Sequence, residues 1–381
     1  MKKTIELICV TQNNNNKFYR MIPNGDMFTV EYGRVGCEHP QTATYPMSQW
    51  DKKYREKINK GYVDNTSLME AVNVTVDTPD TLSDSVSAII NSLFNMASDT
   101  VKRNYTVAAS KITKAMCDKA QSILDSLTGV DVISDFNRTL VELFRVIPRK
   151  MKNVNDWLAY NVSEFAKIIQ REQDLLDACR GAIVSDIKVS MDNLTISDID
   201  DSDRDVIIKA LGRESGRYRN AWRVSNKTVD KAFSDMQTTE KLNKTMLLWH
   251  GSRNENWWSI LNTGLLIRPT NAVITGKMFG YGLYFAPLAK KSLGYTSLTG
   301  SYWARGNSNK GYMALMEVSY SKKADVDDHK HFYSSLTKDS LASSFHGANM
   351  LYAHAGKVLH NDEIIVYSPA QVRIKYLVEL G

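Results

Sequence analysis

Three short stretches of the chain carry residue types that can do chemistry. In Leu247-Leu248-Trp249-His250-Gly251-Ser252-Arg253 an imidazole, a residue without a side chain and a hydroxyl sit where a strand gives way to a loop. Gly251 lets a flat ligand approach the backbone and use its N–H and C=O. In Gly280-Tyr281-Gly282-Leu283-Tyr284-Phe285-Ala286, followed by Lys291, Ser292 and Tyr295, two glycines lie among aromatics and can floor a cleft. A heteroaromatic ring stacked there gains about 0.5–1.5 kcal/mol beyond area burial. Asn361-Asp362-Glu363 places two acids directly before the apolar run Ile364–Tyr367. Each stretch also has a plain structural reading: a hydrogen-bonded histidine, aromatic core beside a tight turn, a solvated carboxylate cap. Residue type alone leaves both readings open.

The elements that must position these residues fall into three textures. Up to about Val76 the pattern is β-rich, with strand-like runs Ile5–Val10, Lys17–Met21 and Met27–Tyr32 separated by turn residues such as Asn24-Gly25. A basic amphipathic helix is expected from Ser48 to Lys60, with Trp50, Tyr54 and Ile58 facing a core. From Thr78 to Gly181 the pattern is helical. Pro79 and Asp80 introduce the stripe Val86, Ile89, Ile90, Leu93 and Phe94. Met116, Ala120, Ile123, Leu124 and Leu127 form a second stripe, stopped by Gly129, and Leu140, Leu143, Phe144 and Ile147 a third, ended by Pro148. Phe165, Ile168, Ile169, Leu175, Leu176 and Cys179 make a fourth, closed by Gly181. These stripes read as a helical bundle with no catalytic constellation.

From about Ser185 onward strands return: Asn193–Ile196, Asn220–Val224, Met246–His250, Gly282–Ala286, Met313–Val318, Glu363–Tyr367 and Gln371–Leu380. The last alternates Val372, Ile374, Tyr376 and Val378, as a half-buried antiparallel strand does. Few helices between the later strands and no G-x-G-x-x-G after a strand argue against a doubly wound dinucleotide fold. The expected fold class is multidomain α+β: a small β-rich domain over 1–76, an all-α bundle over 78–182, and a mixed, mainly antiparallel α+β domain over 183–381.

Composition sets the remaining bounds. Hydrophobic and charged fractions of 43% and 24% are ordinary for a soluble globular protein. No run approaches the roughly 18–20 apolar residues that span a membrane, and Glu6 with Asn13–Asn16 interrupts the start, so neither a membrane segment nor a secretory signal is expected. Cys9, Cys37, Cys117 and Cys179 are scattered without ligand spacing, which argues against a metal site or a disulfide framework. The net charge of +6 permits an anionic partner without demanding one.

Taken together, His250-Gly251-Ser252, Tyr284 in its Gly-x-Tyr-Phe-Ala context and Glu363 before Ile-x-Val-Tyr resemble the His-Tyr-Glu triad of poly(ADP-ribose) polymerases. Met278–Ala286 and Ile364–Leu380 resemble further segments of that family. Phe144–Pro148 is similar to its helical regulatory domain, and Glu31-Tyr32-Gly33-Arg34-Val35-Gly36 to its WGR motif. The resemblance implies a DNA-break-responsive transferase that moves ADP-ribose from NAD⁺, its co-substrate, to protein side chains, itself included, and releases nicotinamide without a metal. It implies that Glu363 holds the 2′-OH of the nicotinamide ribose and stabilises an oxocarbenium-like transition state. His250 and Ser252 bind the NAD⁺, Gly251 and Ser292 take the amide of nicotinamide, and Tyr295 and Tyr284 pack on its ring. Gly282, Lys291 and Arg268 complete the NAD⁺ site, and the loop Gly264–Phe279 lies over it. Tyr32 and Arg34 contact DNA ends or strand breaks, and the helical segment restrains catalysis until DNA binds. A monomer is expected, nuclear in a eukaryote, or cytoplasmic and nucleoid-associated in a bacterium or virus.

The chain departs from the family at several places. Tyr32 replaces the tryptophan that names the WGR domain, Leu266 stands where an arginine often contacts the adenosine end, with Arg268 near enough to substitute, and Lys277 replaces a tyrosine. Asp362 precedes the glutamate as an extra acid, and spacing to Ile365-Val366-Tyr367 selects Glu363 over it. Two other readings are a mono-ADP-ribosyltransferase and an inactive DNA-end-binding scaffold.

Overall fold

A computed structural model describes residues 2–68, 82–105, 112–127, 129–183, 192–267, 278–299 and 308–381. Pro79, Asp80, Arg268 and Lys277 lie outside these residues. The described residues form two compact units, one from 2–68 and 98–183, the other from 82–97 and 192–381.

The first unit begins with an antiparallel sheet of β1 (Ile5–Thr11), β2 (Asn15–Asn24), β3 (Met27–Arg34), β4 (Gln41–Pro46) and β5 (Val63–Asp64), in the order β4-β3-β2-β1-β5. Asn24 pairs with Met27, so the two-residue loop is Gly25-Asp26, with Gly25 at φ +59° as such a turn requires. One face buries Leu7, Tyr19, Met21, Phe28 and Val30 against Trp50 of helix α1 (Trp50–Asn59). The helical stripe is shorter than expected. Trp50 is buried and edge-on to Phe28, Tyr54 is half-buried and donates to Asp64, and Ile58 is 37% exposed.

Helices α2 (Asp84–Asn104), α3 (Lys114–Ser126), α4 (Ile133–Val146) and α5 (Phe165–Ile183) follow. In this unit α3, α4 and α5 bury Met116, Ala120, Leu124, Leu140, Phe144, Ile168 and Leu176, with Phe136 stacked on Phe165 at 3.8 Å. Helix α5 runs through Gly181 to Ile183 rather than stopping there. Within this core Arg149 is locked on Glu172: Nη1 donates to Oε1 at 2.8 Å and Nη2 to Oε2 at 2.5 Å. The Glu172 side chain is fully buried, and Arg171 adds a contact to Oε1 at 3.0 Å.

The second unit holds two sheets. The first joins β6 (Leu194–Asp198), β7 (Tyr218–Asn226), β8 (Lys244–Gly251), β10 (Gly311–Tyr320) and β14 (Val372–Leu380), all antiparallel, in the order β6-β7-β14-β10-β8. The second joins β9 (Leu283–Phe285), β11 (Lys323–Val326), β12 (Met350–Ala353) and β13 (Glu363–Val366) in the order β11-β12-β13-β9, with β11 and β12 parallel. This is the mainly antiparallel α+β arrangement the strand pattern implied. Mutual backbone bonds between Trp249 and Ala286, at 2.8 and 3.0 Å, stitch β8 to the end of β9 and so join the sheets.

Strand β14 differs from the half-buried expectation. A bulge opposite Leu315 and Met316 shifts its register, so Val372, Ile374 and Leu377 enter one core while Tyr376, Val378 and Leu380 enter another. Both faces are covered. The first core also takes Val86, Ile89, Ile90 and Leu93 from the start of α2, which pack with Trp222, Val224, Trp257 and Trp258. Ser85 accepts a hydrogen bond from the Trp222 indole at 2.9 Å, and Phe94 meets Trp258 edge-on. Short helices α6 (Asp201–Leu211), α7 (Lys227–Thr239), α8 (Trp257–Thr263), α9 (Ala289–Leu293) and α10 (Lys338–Ser344) complete the unit. None of the described helices is long and apolar enough to cross a membrane.

Candidate active site

The join between the two sheets gathers the three chemical stretches. Strand β8 ends in His250 and Gly251, one residue past the Trp249–Ala286 stitch. On β13, Ile364 pairs with Phe285 and Ile365 with Tyr284, so one step on brings Glu363 level with Ala286. A carboxylate, an imidazole and a phenol thus come from three strands of a rigid frame, which holds such groups more closely than loops do.

His250 Nδ1 lies 3.1 Å from the Tyr284 carbonyl oxygen. That oxygen only accepts, so Nδ1 carries a proton and donates to it, and Nε2 is an acceptor whenever the ring is neutral. Gly251 is required sterically: a Cβ there falls 2.0 Å from the Ser292 carbonyl oxygen near the end of α9. Ser292 is buried and its hydroxyl donates to Trp249 O at 2.9 Å, which fixes Oγ beside Gly251 with lone pairs to spare. Ser252 Oγ receives a hydrogen bond from the buried Asn256 amide at 3.2 Å.

The aromatic floor is clamped from several sides. Tyr284 OH donates to Gly280 O at 2.9 Å and accepts from the Phe279 amide at 3.1 Å, while Tyr367 OH donates to Phe279 O at 2.5 Å. Burial pushes the Tyr284 phenol far above its ordinary value, so it stays a neutral donor. Gly280, at φ +80°, lies so close to Leu336 that a Cβ would fall 2.3 Å from its carbonyl oxygen. Gly282 presses on Ile365 of β13. Tyr295 remains 52% exposed, its ring available for stacking.

Glu363 is 7% exposed and its Oε1 lies 2.6 Å from Lys291 Nζ, which also donates to Asn361 O at 3.1 Å. Lys291 therefore sits on the carboxylate, a partnership that spacing in the sequence gives no means of seeing. The neighbouring Asp362 turns elsewhere, accepting from Tyr352 OH at 2.8 Å and from the Ala355 amide at 2.7 Å. No group of three or more metal-ligating side chains occurs among the described residues.

In the other unit Tyr32 lies 6.0 Å from Tyr19, and Lys57 Nζ sits over both rings, at 4.0 Å from Tyr19 and 5.8 Å from Tyr32. Arg34 is fully engaged within its own unit. It donates to the main-chain and side-chain oxygens of Asn14, at 3.2 and 3.0 Å, and to the carbonyls of Met151 and Lys152, at 3.1 and 2.6 Å.

The sequence model described as "Poly(ADP-ribose) polymerase catalytic domain" matches residues 214–381, and that described as "WGR domain" matches 1–68. The chain belongs to the poly(ADP-ribose) polymerase family. "Uncharacterized protein 101L" of Invertebrate iridescent virus 6 is 34% identical over 182 residues, 47% of this chain and 76% of that protein. "Poly [ADP-ribose] polymerase 2" of Homo sapiens is 35% identical over 164 residues, 37% of this chain but only 27% of the human protein. "Poly [ADP-ribose] polymerase 2-B" of Oryza sativa is 23% identical over a stretch taking in 97% of this chain and 70% of its own length. The polymerase-family catalytic domain contains all three chemical stretches, and the WGR domain contains Tyr32 and Arg34. Residues 214–381 thus match a catalytic domain of the ADP-ribosyltransferase class, a class of domain that uses NAD⁺ as its substrate.

Proposed function

We propose that the protein is a DNA-break-responsive poly(ADP-ribosyl)transferase that moves ADP-ribose from NAD⁺ to protein side chains, its own included. The observation that carries this reading is the nearly buried Glu363 carboxylate, set at the sheet junction level with Ala286 and held by Lys291. A carboxylate in that place stabilises positive charge growing on the ribose as nicotinamide leaves, and hydrogen-bonds the 2′-OH more strongly as the charge grows. His250 Nε2 accepts from a hydroxyl of the adenosine ribose, with Ser252 beside it. Gly251 and Ser292 Oγ bind the nicotinamide amide, Tyr295 and Tyr284 pack on its ring, Gly282 keeps the floor flat, and Arg268 meets the adenosine end. Lys291 acts on NAD⁺ through Glu363.

The WGR domain of 1–76 meets DNA ends through Tyr32 and the lysines of α1, largely by phosphate contacts that weaken steeply with salt. Arg34 reaches DNA only by giving up its bonds to Asn14, Met151 and Lys152. The helices of 78–182 regulate, restraining the domain of 183–381 until DNA is bound. The protein works as a monomer without a metal, in the nucleus of a eukaryote or near the nucleoid or viral DNA in the cytoplasm.

The test is NAD⁺ consumption by the purified protein, with and without a short 5′-phosphorylated duplex, alongside Glu363→Gln. The expected result is turnover that rises with the duplex, collapses in the variant and yields polymer on a sizing gel. Single-unit products identify a mono-transferase instead. DNA binding without any NAD⁺ turnover identifies an inactive scaffold.

A further inference from the structure

The connection between β12 and β13, residues 354–362, ends on Glu363 and is held by hydrogen bonds that the donor chemistry does not use. Asp362 is its anchor. Oδ2 accepts from Tyr352 OH at 2.8 Å across the β12–β13 pair, and Oδ1 accepts from the Ala355 amide at 2.7 Å, closing the loop on itself. Burial alone pushes the Asp362 carboxyl up, but the Ala355 amide, the Tyr352 hydroxyl and the charges of His354 and Lys291 outweigh it and hold the group below the ordinary carboxylate range. Tyr352 is fixed in turn, stacked on His354 at 4.4 Å with Lys323 over its ring at 4.8 Å. Lys291 fixes the next residue, bonding Asn361 O and Glu363 at once.

Sheet order shows which side of Glu363 this loop flanks. In β11-β12-β13-β9 the donor residues lie on the β9 side of β13, where β9 is stitched to β8, and the loop leaves β13 toward β12 on the opposite side. Its residues Ala355 to Val358 and His360 are exposed, so a macromolecule reaching Glu363 from that side passes over them.

We propose that Asp362 and Tyr352 are positioning residues for the acceptor, a pin that keeps the rim beside Glu363 in the shape that presents a protein or sugar hydroxyl rather than water. The proposal rests on the transferase reading. In the reaction the glycosidic C–N bond breaks, its electron pair leaving on nicotinamide, and a C–O bond forms from an acceptor oxygen that releases one proton. Water attacking the same carbon gives free ADP-ribose and needs no positioning, whereas a tethered hydroxyl depends on it. Loosening the rim therefore slows transfer and leaves hydrolysis and NAD⁺ binding in place.

The experiment follows adenylate-labelled NAD⁺ with the full chain and counts nicotinamide, free ADP-ribose and protein-linked ADP-ribose. Tyr352→Phe removes one hydroxyl, Asp362→Ala removes the anchor, and Asp362→Asn can still accept from Ala355 and donate to the Tyr352 oxygen. The ratio of free to protein-linked ADP-ribose is expected to rise about fivefold in Tyr352→Phe, on the scale of one lost hydrogen bond, and more in Asp362→Ala. The KM for NAD⁺ stays within about twofold, and Asp362→Asn returns the ratio to the parent value. An unchanged ratio in both Tyr352→Phe and Asp362→Ala, or equal loss of all products in Tyr352→Phe, overturns the pin. If the parent chain releases no nicotinamide, the transferase reading itself has failed, and the pin with it.

Discussion

Glu172 and Glu363 are both nearly out of water, both paired with a cation, and placed to do opposite things. In the helical core Glu172 is gripped on both oxygens, by the fork of Arg149 and by Arg171. In the second unit Glu363 has one ammonium at 2.6 Å, from a lysine that divides itself with Asn361 O. A guanidinium fork saturates a carboxylate and fixes its plane, whereas an ammonium on a four-carbon stem neutralises it and leaves it free to accept more. Saturation is a structural use of a buried acid. Incomplete saturation in a frame of strands is what a reacting group needs.

The largest expected effect tests the second half of that contrast. Glu363→Gln should lower NAD⁺ turnover by about 10²–10⁴ while melting close to the parent temperature. A variant as active as the parent sinks the assignment. Next, Glu172→Gln should leave Arg149 buried beside an uncharged amide and cost about 3–5 kcal/mol of stability by denaturant unfolding. Arg149→Met combined with Glu172→Leu should recover most of that loss, and failure to do so would mean the pair contributes more than its own neutralisation. Lys291→Met should lower kcat about tenfold, equivalent to about 1.4 kcal/mol, with little change in melting temperature, if the lysine orients the reacting group of the proposed mechanism rather than supporting a core. A melting shift as large as that of Glu172→Gln would erase the distinction. The smallest effect concerns a third acid, Asp203, which accepts from Tyr376 OH at 2.5 Å and from Arg223. Burial raises its carboxyl, but the Tyr376 hydroxyl and Arg223 outweigh this and hold it below the ordinary range. Because the folded value is the lower one, its stabilisation is present above the unfolded value near pH 4 and lost as pH falls through the folded value. Asp203→Asn should therefore melt slightly lower at pH 7 and decline less steeply below about pH 4. Parallel melting curves for the two proteins would remove Asp203 from the acid response.

Local pattern made much of this legible. The strands that carry His250, Tyr284 and Glu363 follow from apolar runs beside Gly251, Gly282 and Asp362, and the chemistry of those residues could be read without coordinates. What could not be read depends on which strand lies beside which. The Lys291–Glu363 contact spans 72 residues of chain, and the Tyr352–Asp362 bond depends on a pairing of β12 with β13 that no periodicity announces. Strands β4, β11 and β12 escaped notice because Gln41–Pro46 is polar and the other two are only four residues long. The bulge in β14 was invisible for another reason: a change of register by one residue leaves composition untouched and reverses which side chains face which core. The resemblance gave Arg34 a DNA contact, and only the fold reveals the oxygens of Asn14, Met151 and Lys152 around it.

The opening turns of α2 carry a practical lesson for anyone cutting this chain. Val86, Ile89, Ile90 and Leu93 fill one core with Leu194, Ile196, Trp222 and Trp258. A fragment that starts at residue 184 keeps every side chain of the candidate active site and strips the cover from that groove, leaving indole and aliphatic surface bare. Such a piece is expected to be sticky and short-lived in solution, and its poor behaviour would be mistaken for a property of the enzyme. Adding residues 82–97 in trans as a peptide, or beginning the piece before Ser83, should restore a well-behaved protein. The smallest self-sufficient piece that carries the candidate active site is therefore expected to be discontinuous in sequence.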